Sequence, residues 1–438
     1  MPISPNIFWF RRDLRLEDNH GLFQAISSGK PLILLFIFDT EILDQLKDRQ
    51  DARLSFIYSS LQNLKDKLQS FGGYLLLKHG KPLEIWEKLV EEFHPESVFT
   101  NHDYEPYAIQ RDQEIEVFLK TKGTNFYSFK DQVIFEKDEV IKEDGKPYTV
   151  FTPYKRKWLE RFSRTQLITY PSLDLMENGK ANFYKLDSLE FPSLEELGFK
   201  KSTLVFPGMD YKPFLKNYAQ NRDFPGLNST SRISVHLRFG TISIRELVKS
   251  ASQESEIYMS ELIWREFYFT ILWHFPRVVH SSFREEYDRI PWLNRETDFE
   301  TWKEGNTGYP LVDAGMRELK ETGFMHNRVR MVVASFLTKH LLIDWKWGEA
   351  YFAEKLLDFE LSSNNGGWQW AAGSGVDAAP YFRIFNPYEQ EKKFDPQHLY
   401  IKKWVKEWNT NRYPLPMVDH KFARARCLDT YQKALKGN

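Results

Sequence analysis

The sequence predicts an α/β protein in two parts: an N-terminal doubly wound parallel sheet and a mostly α-helical C-terminal half. Three observations carry this. Short apolar runs alternate with amphipathic stretches over the first 130 or so residues, the rhythm of strand, helix, strand. Strand patterns nearly vanish after about residue 200. Ten of the 13 tryptophans lie beyond residue 250, where helical periodicity dominates.

Taken in order, residues 6–10, 32–38, 73–77 and 97–100 are short continuous apolar runs, as strands covered by helices on both faces require. Residues 125–130 complete the sheet. Between them, 52–71, 82–93 and 107–121 have helical spacing. No GxGxxG follows the first strand, so the usual dinucleotide fingerprint is missing. The predicted domains are 1–130 (α/β), 131–200 (a connector) and 201–438 (helical). Lysine, proline and glycine punctuate the connector (KEDGKPYTVFTPYKRK, FPSLEELGF), yet its aromatics predict that it packs on the domains. Beyond it, 241–252, 257–273, 309–322, 327–341 and 348–357 have helical length and period.

A chain of 438 residues exceeds one ordinary domain. Lys plus Arg number 60 and Asp plus Glu 61, so any nucleic-acid surface must be a local patch rather than a global field. The single cysteine, Cys427, excludes an intramolecular disulfide and a multi-cysteine zinc site. The start, MPISPNIFWFRRDLRL, lacks an apolar leader, and no run is long enough to span a bilayer. The expectation is a cytoplasmic, membrane-free monomer without a metal.

Several constellations could carry chemistry. Residues 358–387 (DFELSSNNGGWQWAAGSGVDAAPYFRIFNP) mix paired amides, glycines and indoles. That mixture has too many polar groups for a simple core and too much aromatic area for a surface loop. It suits a pocket for a flat, polar-edged ring. Around 228–234, hydroxyls crowd one turn with Arg232, suiting phosphate; a solvated cap is the plain alternative. Glu261, Trp264 and Arg265 share a helical face and could bond, stack on and anchor a base; a surface ion pair is the bland reading. Asn327, Arg330 and Met331 fall within one turn and could line a cavity, with Arg328 toward a phosphate; a charged helix start is the alternative. Residues 148–158 and 391–408 interleave basic and aromatic side chains, as backbone contact with nucleic acid requires, or as solvated faces do. Trp292, Trp345 and Trp368 are oxidisable rings, though spacing alone favours core packing for each.

These motifs in order, namely FWFRRDLRLEDNHGL, TSRIS, ELIWREFY, GYPLVDAGMRELKETGFMHNRVRM, DWKWGEAYF, NNGGWQWAAGSGVDAAPYFRIFNP and VDHKFARAR, resemble the photolyase/cryptochrome family along nearly the whole chain. The likeness is nearest to bacterial class I cyclobutane pyrimidine dimer photolyases. It implies an N-terminal antenna domain and a helical domain holding FAD, with UV-damaged DNA as partner. By that resemblance Tyr218, Thr230, Ser231, Arg232, Ile233, Ser234 and Tyr258 would hold FAD, with Tyr258 replacing a common tryptophan. An Arg330–Asp358 ion pair and Glu360 would lie by its ring, and Asn364 would face N5. Trp368, Trp345 and Trp292 would form an electron-transfer chain, in that order from flavin to surface, carrying an electron hole outward. Trp264 and Trp370 would sandwich a flipped dimer, Glu261 would hydrogen-bond it, and Asn327 and Met331 would complete the pocket. Arg222, Arg265, Arg328 and Arg383 would grip phosphates. One histidine in HNRVRM, rather than a pair, favours cyclobutane dimers over six-four products. Ala108 stands where folate-binding members carry glutamate, so a second chromophore would be a deazaflavin, a flavin, a folate held otherwise, or none. The runner-up is a blue-light cryptochrome that keeps FAD without repair.

Overall fold

The computed structural model describes residues 4–186 and 191–436. Five parallel strands form one sheet: β1 (Asn6–Phe10), β2 (Leu32–Asp39), β3 (Leu75–Gly80), β4 (Ser97–Asn101) and β5 (Asn125–Phe129), in the order β3-β2-β1-β4-β5. The order reverses at β1, which pairs with β2 (Phe8 opposite Leu34) and with β4 (Phe8 opposite Phe99). All of β1, β2 and β4 is buried, which explains their unbroken apolar runs. The third strand lies two residues later than its predicted start and runs on through Lys78 and His79 to Gly80. The crossovers contain α1 (His20–Ser27), α2 (Ala52–Ser70), α3 (Pro82–Phe93) and α4 (Pro106–Thr121). Sequence reading missed α1. Its N-cap Asn19 accepts from the Leu22 amide at 3.2 Å, and the helix is too short to show a clear period.

Two compact units emerge, and their boundaries differ from a simple serial division. The first comprises 1–136, 160–209 and 233–250; the second 137–159, 210–232 and 251–438. The expected connector is thus divided between units, and its residues 187–190 lie outside the described ones. Segment 233–250 joins the sheet unit through buried ion pairs. Arg245 contacts Asp18 at 2.8 Å and Asp131 at 2.7 Å, and Arg15 contacts Asp131 at 2.7 Å. Buried charges need this mutual neutralisation. Gly240 (φ +62°) lies against the Arg12 carbonyl where any Cβ would collide.

Helix α5 (Phe151–Arg164), which lies in the second unit as far as residue 159, begins inside the supposed loose stretch. Then come α6 (Glu256–His274), α7 (Pro310–Thr322), α8 (Asn327–Ser335), α9 (Trp345–Lys355), α10 (Leu361–Ala372) and α11 (His420–Lys436). The predicted helix 327–341 is interrupted. Residues Phe336–His340 form a π-turn in which the Leu341 amide donates to the Phe336 carbonyl at 3.1 Å, and Leu342 follows at φ +51°. Trp302, Tyr309, Met316, Val329, Trp345 and Trp368 belong to one core of this unit. No helix among the described residues is long and apolar enough to cross a membrane. Among them, too, no three His, Cys, Asp or Glu side chains group as metal ligands.

Candidate functional site

Helix α10 organises the site. Two glycines and two asparagines make it a weak helix former, so packing must hold it. The buried Asn365 amide donates to the Val278 carbonyl at 3.0 Å, and Gln369 donates to the same carbonyl at 3.0 Å and to Asn365 Oδ1 at 3.0 Å. Gly366 abuts the Tyr268 ring of α6 with no room for a Cβ. Trp368 lies on Gly348 of α9. That fixes one face. The other, with Asn364, Gly367 and Trp370, is not covered. Gly367 is exposed, nothing stands within 4 Å of a Cβ added there, and Asn364 and Trp370 are half-buried.

The other residues expected at the site have defined partners. Arg330 of α8 pairs with Asp358 at 3.0 Å and donates through Nε to the Met325 carbonyl at 2.7 Å. Asn364 Nδ2 donates to the Glu349 backbone carbonyl at 3.0 Å, which leaves its Oδ1 as the free acceptor. Burial pushes the Glu349 carboxyl up to about 7. Ser231 hydrogen-bonds the Tyr258 hydroxyl at 3.0 Å, and Tyr258 meets Tyr218 edge-on at 4.9 Å. Arg232, at φ +51°, lies over Phe324 and 3.9 Å from buried Glu318. Thr230 is half-buried. Ile233 and Ser234 belong to the first unit; Ile233 is buried and Ser234 opens a short helix, Ser234–Phe239.

On α6, Glu261 is ion-paired with Arg222, whose guanidinium also covers Tyr218. Trp264 is half-buried and stacks on Phe151 at 3.7 Å and 10°. Arg265 is not placed to grip a phosphate. It pairs with Glu360 at 3.1 Å, lies over Phe269, and its side chain is only 11% exposed. An acid two residues beyond Asp358 draws it inward. Arg328 pairs with Asp223 at 2.7 Å over the Phe394 ring. Asn327 and half-buried Met331 lie on α8 beside it, and Arg383 is exposed. His326 caps α8 by accepting from the Arg328 amide at 3.2 Å, and burial pushes its pKa down to about 4.

Trp368 and Trp345 are both buried in one core, and Trp292 packs at its edge, only partly buried. Trp368 meets Phe352 at 4.9 Å and Trp302 at 6.1 Å, both edge-on.

The stretch 148–158 departs from its expected role in nucleic-acid contact. Its Phe151, Tyr154 and Trp158 are buried. Their i, i+3, i+7 spacing was the signal that they line the inner side of a helix. Trp158 donates its indole N–H to buried Glu266 of α6. Phe151, Tyr268 and Glu349 were all missed, because single aromatic or acidic residues carry no motif.

The donor set and uncovered face fit a flavin. Asn364 offers an amide acceptor and Gly367 a bare approach on one open helix face, and α8 and the turn before α10 supply the Arg330–Asp358 pair; these are groups that an isoalloxazine with polar edges can use.

Comparison with known proteins accords with this. Residues 258–411 match the family described as the FAD binding domain of DNA photolyase, and residues 6–172 match the DNA photolyase family. The chain is 38% identical to a deoxyribodipyrimidine photo-lyase of Synechococcus sp., covering 95% of this chain and 94% of that one. It is similar to a bacterial class III photolyase from Agrobacterium tumefaciens (TM-score 0.88, 32% identity, 100% of this chain and 98% of that one). It is also similar to an archaeal photolyase from Sulfolobus tokodaii solved with two FAD molecules (TM-score 0.84, 35% identity, 98% and 100%).

Proposed function

Since the chain belongs to the DNA photolyase family, we propose that it repairs cyclobutane pyrimidine dimers in UV-damaged DNA, driven by light. The observation that carries the reading is the uncovered α10 face of Asn364, Gly367 and Trp370, on a helix packed through Gly366 against the α6 that bears Glu261 and Trp264. FAD, once bound and reduced, would supply the blue or near-UV absorption and the single electron that cyclobutane opening needs.

The protein's own groups do the rest. Asn364 offers Oδ1 at the flavin edge, its amide held by the Glu349 carbonyl. Arg330, neutralised by Asp358, sets charge beside the ring. Tyr218, Thr230, Ser231, Arg232 and Tyr258 hold the remainder of the cofactor. Trp264 and Trp370 stack on the extruded bases, which cost little to flip because the dimer is already poorly stacked, about a few kcal/mol. Asn327 and Met331 close the pocket. Glu261 hydrogen-bonds the pyrimidine imide once Arg222 turns to a phosphate, and Arg328 and Arg383 take flanking phosphates. Trp368, Trp345 and Trp292 conduct electrons inward when FAD is oxidised. A second chromophore would accompany the sheet unit.

The test is an absorption spectrum of purified protein, then illumination with dimer-containing oligothymidine. Flavin bands and light-dependent loss of dimers are expected. Flavin photoreduction with dimers untouched would replace repair by a cryptochrome role.

A further inference from the structure

Phe151 has been given no role in the proposed function, yet α6 and the loop bearing Asp377 both meet it. Its ring stacks face to face on Trp264 at 3.7 Å and 10°, and Phe267 meets both rings edge-on, at 5.8 and 5.6 Å. Phe151 is buried, whereas Trp264 is half-buried. The face of Trp264 turned to Phe151 is therefore closed, and a ligand can meet only the other face or an edge.

The placement is enforced from both sides. As the first residue of α5, Phe151 has an amide with no partner inside the helix. That amide donates to Asp377 Oδ2 at 3.2 Å, a carboxylate at a helix N-terminus where the dipole favours negative charge. Asp377 adopts φ +45° to reach it and lies six residues before Arg383. Further along α5, the Tyr154 hydroxyl is 3.4 Å from the Thr270 hydroxyl, and Trp158 donates to Glu266. Both partners are on α6, which carries Trp264. Aromatic pairs in cores usually settle edge-on or offset; a close parallel stack beneath a half-exposed indole fixes the plane of that indole.

We infer that Phe151 is a positioning residue for lesion recognition: it backs Trp264 and sets the plane on which an extruded pyrimidine stacks. Binding then builds a three-layer stack of phenyl, indole and base. Without the phenyl, the indole can rock, and the base must hold it still as well as stack on it. The inference rests on the repair reading above and deepens it.

The experiment uses the full chain with FAD bound and reduced. Wild type, F151Y, F151H and F151L are compared for KM and saturating rate on dimer-containing oligothymidine, for Kd on the undamaged oligomer, and for flavin content. F151Y keeps the stack and should match wild type. F151L fills similar space without a ring and should raise KM about five- to tenfold, the worth of one aromatic pair, with the saturating rate, undamaged Kd and flavin content unchanged. F151H should fall between. Unchanged KM in F151L overturns the inference. So does a loss shared equally by damaged and undamaged DNA, which would mark a role in folding alone. Should F151L fail to hold flavin, equal KM for F151H and F151Y overturns it instead. No repair by wild type defeats the proposed function itself, and this inference with it; repair by wild type with an unaltered F151L defeats only the role of Phe151.

Discussion

Glu261 stands between two partners. In the free protein it neutralises Arg222; on the proposed reading it must face the pyrimidine imide. Glu261→Ala should lower repair per absorbed photon, while flavin absorbance stays at the wild-type level. The same change frees the Arg222 guanidinium, so undamaged DNA should bind more tightly. Quantum yield and a filter-binding isotherm separate the two effects, and an unaltered yield removes the role assigned to Glu261. Trp292 is a second single-residue test. It is partly buried at the edge of the core containing Trp345 and Trp368, and meets Tyr431 edge-on at 6.0 Å. Trp292→Phe should abolish light-driven reduction of oxidised FAD and leave repair by chemically pre-reduced protein intact. Photoreduction at the normal rate would send the electron by another route. Residue types were legible in sequence, their partners less so. Nothing in ELIWREFY shows that Arg265 turns in to Glu360 while Glu261 turns to Arg222; that choice is made by residues 39 to 95 positions away.

Among elements, α10 was the hardest to read. Gly366 and Gly367 together cost about 2 kcal/mol relative to alanine, and the neighbouring amides favour turns. The helix exists because Tyr268 and the Val278 carbonyl hold it. The sequence reads as a pocket lining along this stretch and leaves its conformation open. The strands were easier, since residues buried on both faces must all be apolar. The π-turn after α8 was illegible, because the apolar spacing of 327–341 runs through it without a break. Close packing also makes α9 testable. Gly348 touches the Trp368 ring and Leu337 with no space for a methyl, so Gly348→Ala should destabilise by about 1–3 kcal/mol, the usual cost of overpacking. Thermal unfolding measures it; a wild-type midpoint would mean that Trp368 moves aside freely, and its photoreduction rate should then change instead.

At the scale of the whole molecule, acid should be a specific weakness. Burial holds His326 down to about 4 and His340 to about 3, against 6.5 when unfolded. Below pH 6.5 the unfolded chain takes up protons that the native state refuses, so each histidine subtracts stability as pH falls toward its folded value; above 6.5 neither matters. Glu349, raised to about 7, acts oppositely between 7 and 4.5. Urea midpoints at pH 7, 5.5 and 4.5 should therefore drop less steeply in His340→Gln than in wild type, and parallel curves would refute the assignment. The two-part fold was visible in the sequence because each part has its own hydrophobic period. The joining of 233–250 to the sheet unit was not, since only the Arg245 contacts with Asp18 and Asp131 create it. A net charge of −1 leaves no general attraction to nucleic acid, and the pairing of Arg222 with Glu261 and of Arg328 with Asp223 carries this further. Such arginines bring tethered counterions of their own, so an ordinary duplex must evict a carboxylate before it gains a contact. Arg328→Ala should for that reason flatten the salt dependence of lesion binding by less than the roughly one unit of a fully free cation. On the repair reading proposed above, this makes a searcher that lets go of sound DNA quickly and lingers only where a misshapen base makes the exchange worthwhile.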